Sequence, residues 1–109
     1  MTDKIVVLTT CDSKKRAAKL ARHLVKQRVA ACVNVLPKAR SIYRWNEKVE
    51  EASEWMLIIK SRRDLFDALR SEIQKLHTYE VPELIALPIV DGSEPYLAWF
   101  DAQLTTKAE

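Results

Sequence analysis

The sequence contains a single glycine, Gly92, among its 109 residues. Phosphate-binding loops place several glycines close together, as in the pattern GxGxxG, so loops of that kind are excluded. No run of apolar residues exceeds five, whereas a helix that crosses a bilayer needs about 18, so we expect no membrane insertion. The apolar run 5–8 near the start of the sequence is also shorter than the roughly 7–15 residues of a secretory signal, so we expect no such signal.

Cysteine is nearly as scarce as glycine. The two cysteines, Cys11 and Cys32, form no CxxC pair and are too few for a disulfide framework, so we expect reduced thiols. The chain has 18 basic and 15 acidic residues, a net charge of +3, and the two signs are interleaved along it. This distribution predicts no nucleic-acid partner, because nucleic-acid binders usually gather their basic residues on one stripe.

The remaining composition, 48% apolar and 30% charged, is typical of one soluble domain spanning 1–109. Apolar runs and alternation predict extended segments over 5–8, 29–36, 40–45, 48–60 and 84–90. Apolar residues at helical spacing predict three helices, which start after Asp12 or Ser13, at a capping box of Ser61 and Asp64, and after Ser93. Asn46-Glu47 suits the turn of a hairpin between the second and third strands.

The order βαββαβ, followed by one more helix, predicts an α+β fold of the ferredoxin-like sandwich type. In that topology the strands lie in the spatial order 4-1-3-2, which leaves strands 2 and 4 at the edges. Proline has no N–H for the ladder and is therefore confined to edges or bulges. Pro37 and Pro88 fall in the two predicted edge strands, which supports the assignment.

Both predicted central strands are apolar on both faces, as the runs 5–8 and 56–59 show. The first two helices cover only one face of such a sheet, so the other face needs a second cover. The predicted strand 48–60 would also extend about 44 Å, against a radius of gyration of about 13 Å for a domain of this size. We therefore predict a homo-oligomer.

Five sequence blocks then occur in order: Ala30-Ala31-Cys32-Val33-Asn34, Ser41-Ile42-Tyr43-x-Trp45, Ile58-Ile59-Lys60-Ser61, His77-x-Tyr79-Glu80-Val81-Pro82-Glu83 and Pro95-Tyr96-Leu97-x-Trp99. Together they resemble the CutA family of divalent-cation tolerance proteins. The resemblance implies a cytoplasmic, ferredoxin-like homotrimer, similar in assembly to the PII signalling proteins and linked to copper tolerance. It implies no required cofactor and no agreed catalytic activity. Because no nucleophile–base pair is evident, we predict that the chain is not an enzyme.

Two departures from the family pattern concern local structure. Glu47 stands in the hairpin turn where the family usually has glycine, and a non-glycine residue at positive φ costs about 1–2 kcal/mol. We therefore expect Asn46 to take the positive φ instead, or the turn to change type. Thr9 stands where some members of the family carry a cysteine that belongs to a proposed copper site. If the first strand extends as far as Cys11, then Thr9 and Cys11 point to the same face of the sheet.

His77, Glu83 and Cys11 are the candidate metal ligands that the resemblance suggests, for Cu²⁺ or another divalent cation. Imidazole suits copper, zinc and nickel, and a carboxylate or thiolate would add a second ligand. Metal sites use three or four ligands, however, and the sequence has no closely spaced His or Cys pair. The alternative is that His77 caps the carboxyl end of the second helix, where a cation is favoured.

The second candidate site is an intersubunit cleft formed by Tyr43, Trp45, Lys60, Tyr79, Glu80 and Trp99. Its aromatic residues either stack on a ligand or pack in an interface, and we favour packing because each ring buries a large area. Lys60 and Glu80 either bind an anion or small molecule or form an internal salt bridge. We expect His23 to face solvent and Cys32 to lie in the core.

Two functions are consistent with these residues. The first is divalent-cation tolerance by a homotrimer that binds copper or another divalent metal ion. The second is a PII-like trimeric signalling or scaffold protein that acts through protein or small-molecule partners, with metal incidental. Titration of the metal-free protein with Cu²⁺ separates the two functions.

Overall fold

The computed structural model describes residues 1–106, so the last three residues of the predicted domain, 107–109, lie outside the described part. The chain has an α+β fold with a four-stranded antiparallel sheet and three α-helices. The elements are β1 (Lys4–Cys11), α1 (Lys14–Lys26), β2 (Cys32–Trp45), β3 (Lys48–Arg62), α2 (Phe66–Leu76), β4 (Ile85–Pro88) and α3 (Glu94–Gln103). No helix within residues 1–106 is long and apolar enough to cross a membrane.

The strands lie in the order β2-β3-β1-β4, so the predicted spatial order is confirmed. β1 is central and pairs antiparallel with both β3 and β4, with Val7 opposite Ile59. Pro88 lies in the edge strand β4. Pro37 lies in the edge strand β2, between Leu36 and Ala39, where the register shifts. Both prolines therefore occupy positions at which a missing N–H costs the ladder little.

The main core lies between one face of the sheet and the helices α1 and α2. Alternate residues of the central strands point toward the helices, among them Val7 and Ile59, and both are fully buried. The helices contribute apolar residues at helical spacing: Ala17, Leu20 and Leu24 from α1, and Leu69 and Ile73 from α2. Of the two predicted caps for α1, Ser13 is the one used, since its Oγ accepts from the Arg16 N–H at 3.2 Å.

The predicted capping box at Ser61 and Asp64 is wrong. β3 continues two residues past Lys60, so Ser61 is a buried strand residue whose Oγ donates to the Val29 carbonyl at 2.6 Å. A short 3₁₀ turn, Arg63–Leu65, then leads into α2, which has no side-chain cap. Ser61 therefore joins β3 to the segment before β2 instead of starting a helix.

A second, smaller core anchors α3 near the start of β1. Phe100 and Leu104 pack there with Ala31 and Leu65. The Asp101 carboxylate beside this core accepts from the Lys4 ammonium and from the Arg62 guanidinium, each at 3.1 Å. Arg62 is almost fully buried, and it also donates to the Thr105 carbonyl at 2.8 Å. These ion pairs connect the end of α3 to β1 and β3.

The hairpin formed by β2 and β3 projects from the rest of the molecule. The described chain measures 44 × 26 × 23 Å and has a radius of gyration of 14.5 Å, larger than the roughly 13 Å expected for a compact chain of its length. At the tip, Asn46 and Glu47 both have positive φ, 50° and 64°. Glu47 therefore takes the left-handed conformation as well as Asn46, in the manner of a type I′ turn.

Candidate functional site

A groove of about 620 Å³ lies where the hairpin meets the loop between α2 and β4. The hairpin strand β2 contributes Ser41, Ile42, Tyr43 and Trp45. The loop contributes Tyr79, Glu80, Val81 and Glu83, and the other strands contribute Thr10 and Glu54. Four of the six residues predicted for a cleft are therefore brought together, and Glu83, predicted as a metal ligand, lies with them.

A chain of hydrogen bonds fixes one wall of this groove. The His77 ring contacts the Thr10 carbonyl through Nε2 at 2.6 Å and the Tyr79 backbone N–H through Nδ1 at 3.1 Å. Because Nδ1 must accept from an N–H, the proton lies on Nε2 and the imidazole is neutral in this arrangement. The Tyr79 hydroxyl in turn donates to Glu54 Oε2 at 2.6 Å. The end of α2 is thereby tied to β1, and the loop to the hairpin.

Glu54 is a charged residue of this groove that the sequence analysis did not identify. It is only 7% exposed, and it makes no ion pair among residues 1–106. Burial, followed by the hydrogen bond to Glu54, raises the pKa of the Tyr79 hydroxyl well above its ordinary value. A signal was present in the alternation of β3, because Glu54 precedes Met56 and Ile58 on the same face of the strand.

The candidate metal ligands divide between two places. Cys11 and His77 line the same small cavity beside α1, whereas Glu83 lies in the large groove. Burial, then the charge of Asp12, raises the pKa of the Cys11 thiol to about 11, and a thiol must lose its proton to bind a metal. Residues 1–106 contain no group of three His, Cys, Asp or Glu side chains able to hold a metal ion.

His77 itself also argues against a preformed metal site. Both ring nitrogens already have hydrogen-bond partners, so neither has a free lone pair for an ion. The residue does end α2, because its backbone N–H donates to the Ile73 carbonyl at 2.8 Å. Its ring, however, bonds to β1 and not to the last carbonyls of the helix. In this conformation His77 would have to give up one of these hydrogen bonds to bind a metal ion.

Two residues predicted for the cleft lie elsewhere. Lys60 donates to Asn34 Oδ1 on the neighbouring strand and lies 3.8 Å from the Cys32 sulfur. Within the described residues it makes no ion pair with Glu80. Trp99 lies on α3 and stacks on Tyr96, with 5.7 Å between the ring centroids.

Four further sequence expectations have a clear outcome. Cys32 is partly exposed beside Lys60, so the expectation that it lies in the core is wrong. His23 does not simply face solvent, because its Nε2 lies 2.6 Å from Glu72 Oε1 on α2. Both cysteines are free, as predicted, and β1 extends far enough to put Thr9 and Cys11 on the same side.

Comparison with known proteins agrees with this fold. A family model described as CutA1 divalent ion tolerance protein matches residues 5–103. The chain is 45% identical over 95 residues to the chloroplastic Protein CutA of Arabidopsis thaliana, a match that covers 87% of this chain and 52% of the relative. It therefore spans about half the length of that relative. It is 45% identical over 94 residues to the Divalent-cation tolerance protein CutA of Thermus thermophilus, covering 86% of this chain and 91% of the relative.

Solved structures of CutA1 proteins are also similar to this chain. The crystal structure of CutA1 from Oryza sativa superposes with a TM-score of 0.93 at 40% identity, covering 95% of each chain. The Cut A1 divalent cation tolerance protein from Thermus thermophilus superposes with a TM-score of 0.91 at 41% identity, covering 94% of this chain and 99% of the other. The family match, the identities and the shared fold lead to one assignment: the chain belongs to the CutA1 divalent ion tolerance family.

Proposed function

We propose that this protein acts in divalent-cation tolerance as a cytoplasmic homotrimer, in which ferredoxin-like subunits assemble as PII proteins do. The observation that carries the proposal is the apolar surface of the hairpin. Ile42, Tyr43 and Trp45 lie close together on β2 and are 65%, 44% and 47% exposed. Large apolar side chains grouped in this way are typical of a surface that another subunit covers, because each 100 Å² buried contributes about 2.5 kcal/mol.

The role is tested by growth in added copper of cells that lack the protein. We expect the cells to become copper-sensitive and the wild-type protein to restore growth. Ile42→Glu, which places a charge on the apolar surface, should fail to restore growth, because burying an unpaired carboxylate weakens assembly. Ser53→Glu adds the same charge at an exposed polar position of the hairpin and should restore growth fully. Equal rescue by both variants would contradict the proposal.

Direct binding of copper is a second candidate function, favoured by the position of Cys11 beside His77. A thiolate and an imidazole are good copper ligands. Calorimetric titration of the metal-free protein with Cu²⁺ tests it: specific micromolar binding should be lost in His77→Ala and retained in His23→Ala. Unchanged affinity in His77→Ala would exclude this site.

The alternative is a PII-like signalling or scaffold trimer that acts through protein or small-molecule partners. It is favoured by the hydrogen bonds that occupy both nitrogens of His77. The same titration separates the candidates, because a trimer with no specific copper affinity supports the signalling or scaffold function. In that case the groove, and not the small cavity, is the place to look for a ligand.

A further inference from the structure

We infer that the groove recognises an ammonium or guanidinium group, which the Glu54 carboxylate binds beside the rings of Tyr43 and Trp45. This ligand class goes beyond the proposed function. The inference depends on the proposed homotrimer only in the case where a second copy of this chain supplies the cation.

The charge of the groove is negative. Three carboxylates line it, those of Glu54, Glu80 and Glu83, and within residues 1–106 no Lys, Arg or His lines it. Glu54 is more than nine-tenths buried, yet its side chain contacts no cation in the described part of the chain. Only Oε2 has a hydrogen-bond donor there, the Tyr79 hydroxyl, and Oε1 has none. The side chain has little contact with water, and Oε1 has no donor among residues 1–106, so a cation in the groove would stabilise the carboxylate.

Aromatic rings lie in the same groove. Tyr43 and Trp45 line it and are about half exposed, and the faces of such rings attract cations.

Transition metals prefer imidazole or thiolate, and neither lines the groove within residues 1–106. Ca²⁺ needs six to eight oxygen ligands, and the rings of Tyr43 and Trp45 occupy part of the groove surface where such ligands would have to lie. Carboxylate plus aromatic rings instead suit an organic cation. A volume of about 620 Å³ is also within the range of small-molecule sites, about 300–1,000 Å³.

The same cation chemistry has two sources. A free amine or guanidine could enter the groove from solution, or a Lys or Arg side chain of a second copy could occupy it in the proposed homotrimer. In both cases Glu54 is the anion that holds the positive charge.

The experiment titrates butylguanidinium into the full-length protein and follows the Trp45 indole N–H by NMR, with butanol as the uncharged control. The test variant is Glu54→Gln, which removes the charge but keeps an acceptor for the Tyr79 hydroxyl. Glu50→Gln is the matched control, because Glu50 is an exposed residue of the same strand outside the groove. Circular dichroism and the melting temperature check that each variant folds. Trp45→Leu keeps Glu54 and provides a second, independent variant, whose binding is followed by calorimetry.

If the ligand comes from solution, Glu54→Gln should weaken butylguanidinium binding about tenfold or more, the effect of one charge-assisted hydrogen bond. Trp45→Leu should weaken it about threefold, Glu50→Gln should not change it, and butanol should not bind. If a second copy supplies the cation, the probe will not bind. Glu54→Gln will then raise the trimer dissociation constant about tenfold, whereas Glu50→Gln will not.

Glu54→Gln without effect on either probe binding or subunit association would overturn the inference. This outcome is distinct from failure of the proposed function. A monomer that binds butylguanidinium through Glu54 contradicts only the trimer, and a trimer insensitive to Glu54→Gln contradicts only the cation site.

Discussion

At the scale of single residues, the imidazole of His77 joins β1, the end of α2 and the loop that follows it. Its ring makes two hydrogen bonds, to the Thr10 carbonyl and to the Tyr79 N–H. His77→Ala should lower the free energy of unfolding by about 2 kcal/mol, since each bond contributes roughly 1 kcal/mol. Urea denaturation measures the change. His23→Ala, which loses one hydrogen bond to Glu72, should cost about 1 kcal/mol or less. An equal cost in both variants would contradict the joining role of His77.

The two thiols should differ sharply in reactivity. Cys11 is buried and the pKa of its thiol is raised to about 11, so at pH 8 about one molecule in a thousand carries the reactive thiolate. Cys32 is partly exposed. Brief alkylation with iodoacetamide at pH 8, followed by peptide mass spectrometry, should label Cys32 and leave Cys11 largely unmodified. Faster labelling of Cys11, or an intrachain disulfide, would contradict the burial described above.

Single residues were predictable where their neighbours in the sequence determine the environment. Tyr79 and Glu80 lie in the loop after α2, and the family resemblance already suggested that they line a cleft. Glu54 was missed because its partner Tyr79 lies 25 residues away. Their contact is set by how the loop folds against β3, and no local pattern reports that geometry.

At the scale of elements, the hairpin turn carries measurable strain. Glu47 has a φ of 64°, a region that costs a non-glycine residue about 1 kcal/mol or more. Glu47→Gly should therefore raise the free energy of unfolding by about 1 kcal/mol. Asn46→Gly should gain less, because asparagine tolerates positive φ better. Urea denaturation of both variants checks this, and a loss of stability in Glu47→Gly would show that the turn is not strained.

The attachment of α3 should depend on pH through Asp101. Hydrogen bonds from Lys4 first, and Arg62 second, lower the pKa of this carboxyl below its ordinary 3.8. The folded-state pKa is thus below the unfolded one, so the contact stabilises the fold above about pH 4. This contribution disappears as the pH falls through the folded-state pKa.

Asp101→Asn removes that titration and should cost up to about 1 kcal/mol at neutral pH, the upper range for a partly exposed ion pair. Melting temperatures between pH 6 and pH 2 should show the wild type and the variant converging as the solution becomes acidic. A constant difference across that range would show that Asp101 does not titrate with the fold.

Helices and strands were the most predictable features. Apolar periodicity located α1, α2 and every strand, and the prolines indicated which strands are edges. The capping box failed because Ser61 and Asp64 match a local motif, whereas the Val29 carbonyl offers Ser61 a partner from a distant segment. The ion pairs of Asp101 with Lys4 and Arg62 were also missed, since they join three elements far apart in sequence.

At the scale of the whole molecule, the shape of the chain and its exposed surface both support assembly into a homo-oligomer. The hairpin lengthens the chain to 44 Å, and apolar residues such as Ile42 and Val49 are about two-thirds exposed along it. Exposed apolar side chains grouped on such an arm are typical of a surface that a partner covers. The length of the hairpin was predictable from the sequence. The surface of another subunit that would cover it was not, because the fit between two surfaces depends on how each subunit packs.

Assembly is therefore the central claim, and the molar mass in solution tests it most directly. Size-exclusion chromatography with light scattering at micromolar protein concentration should give three times 12.6 kDa for the wild type. The mass should hold on dilution through the micromolar range and fall for Ile42→Glu. A single species of 12.6 kDa for the wild type at that concentration would contradict the account.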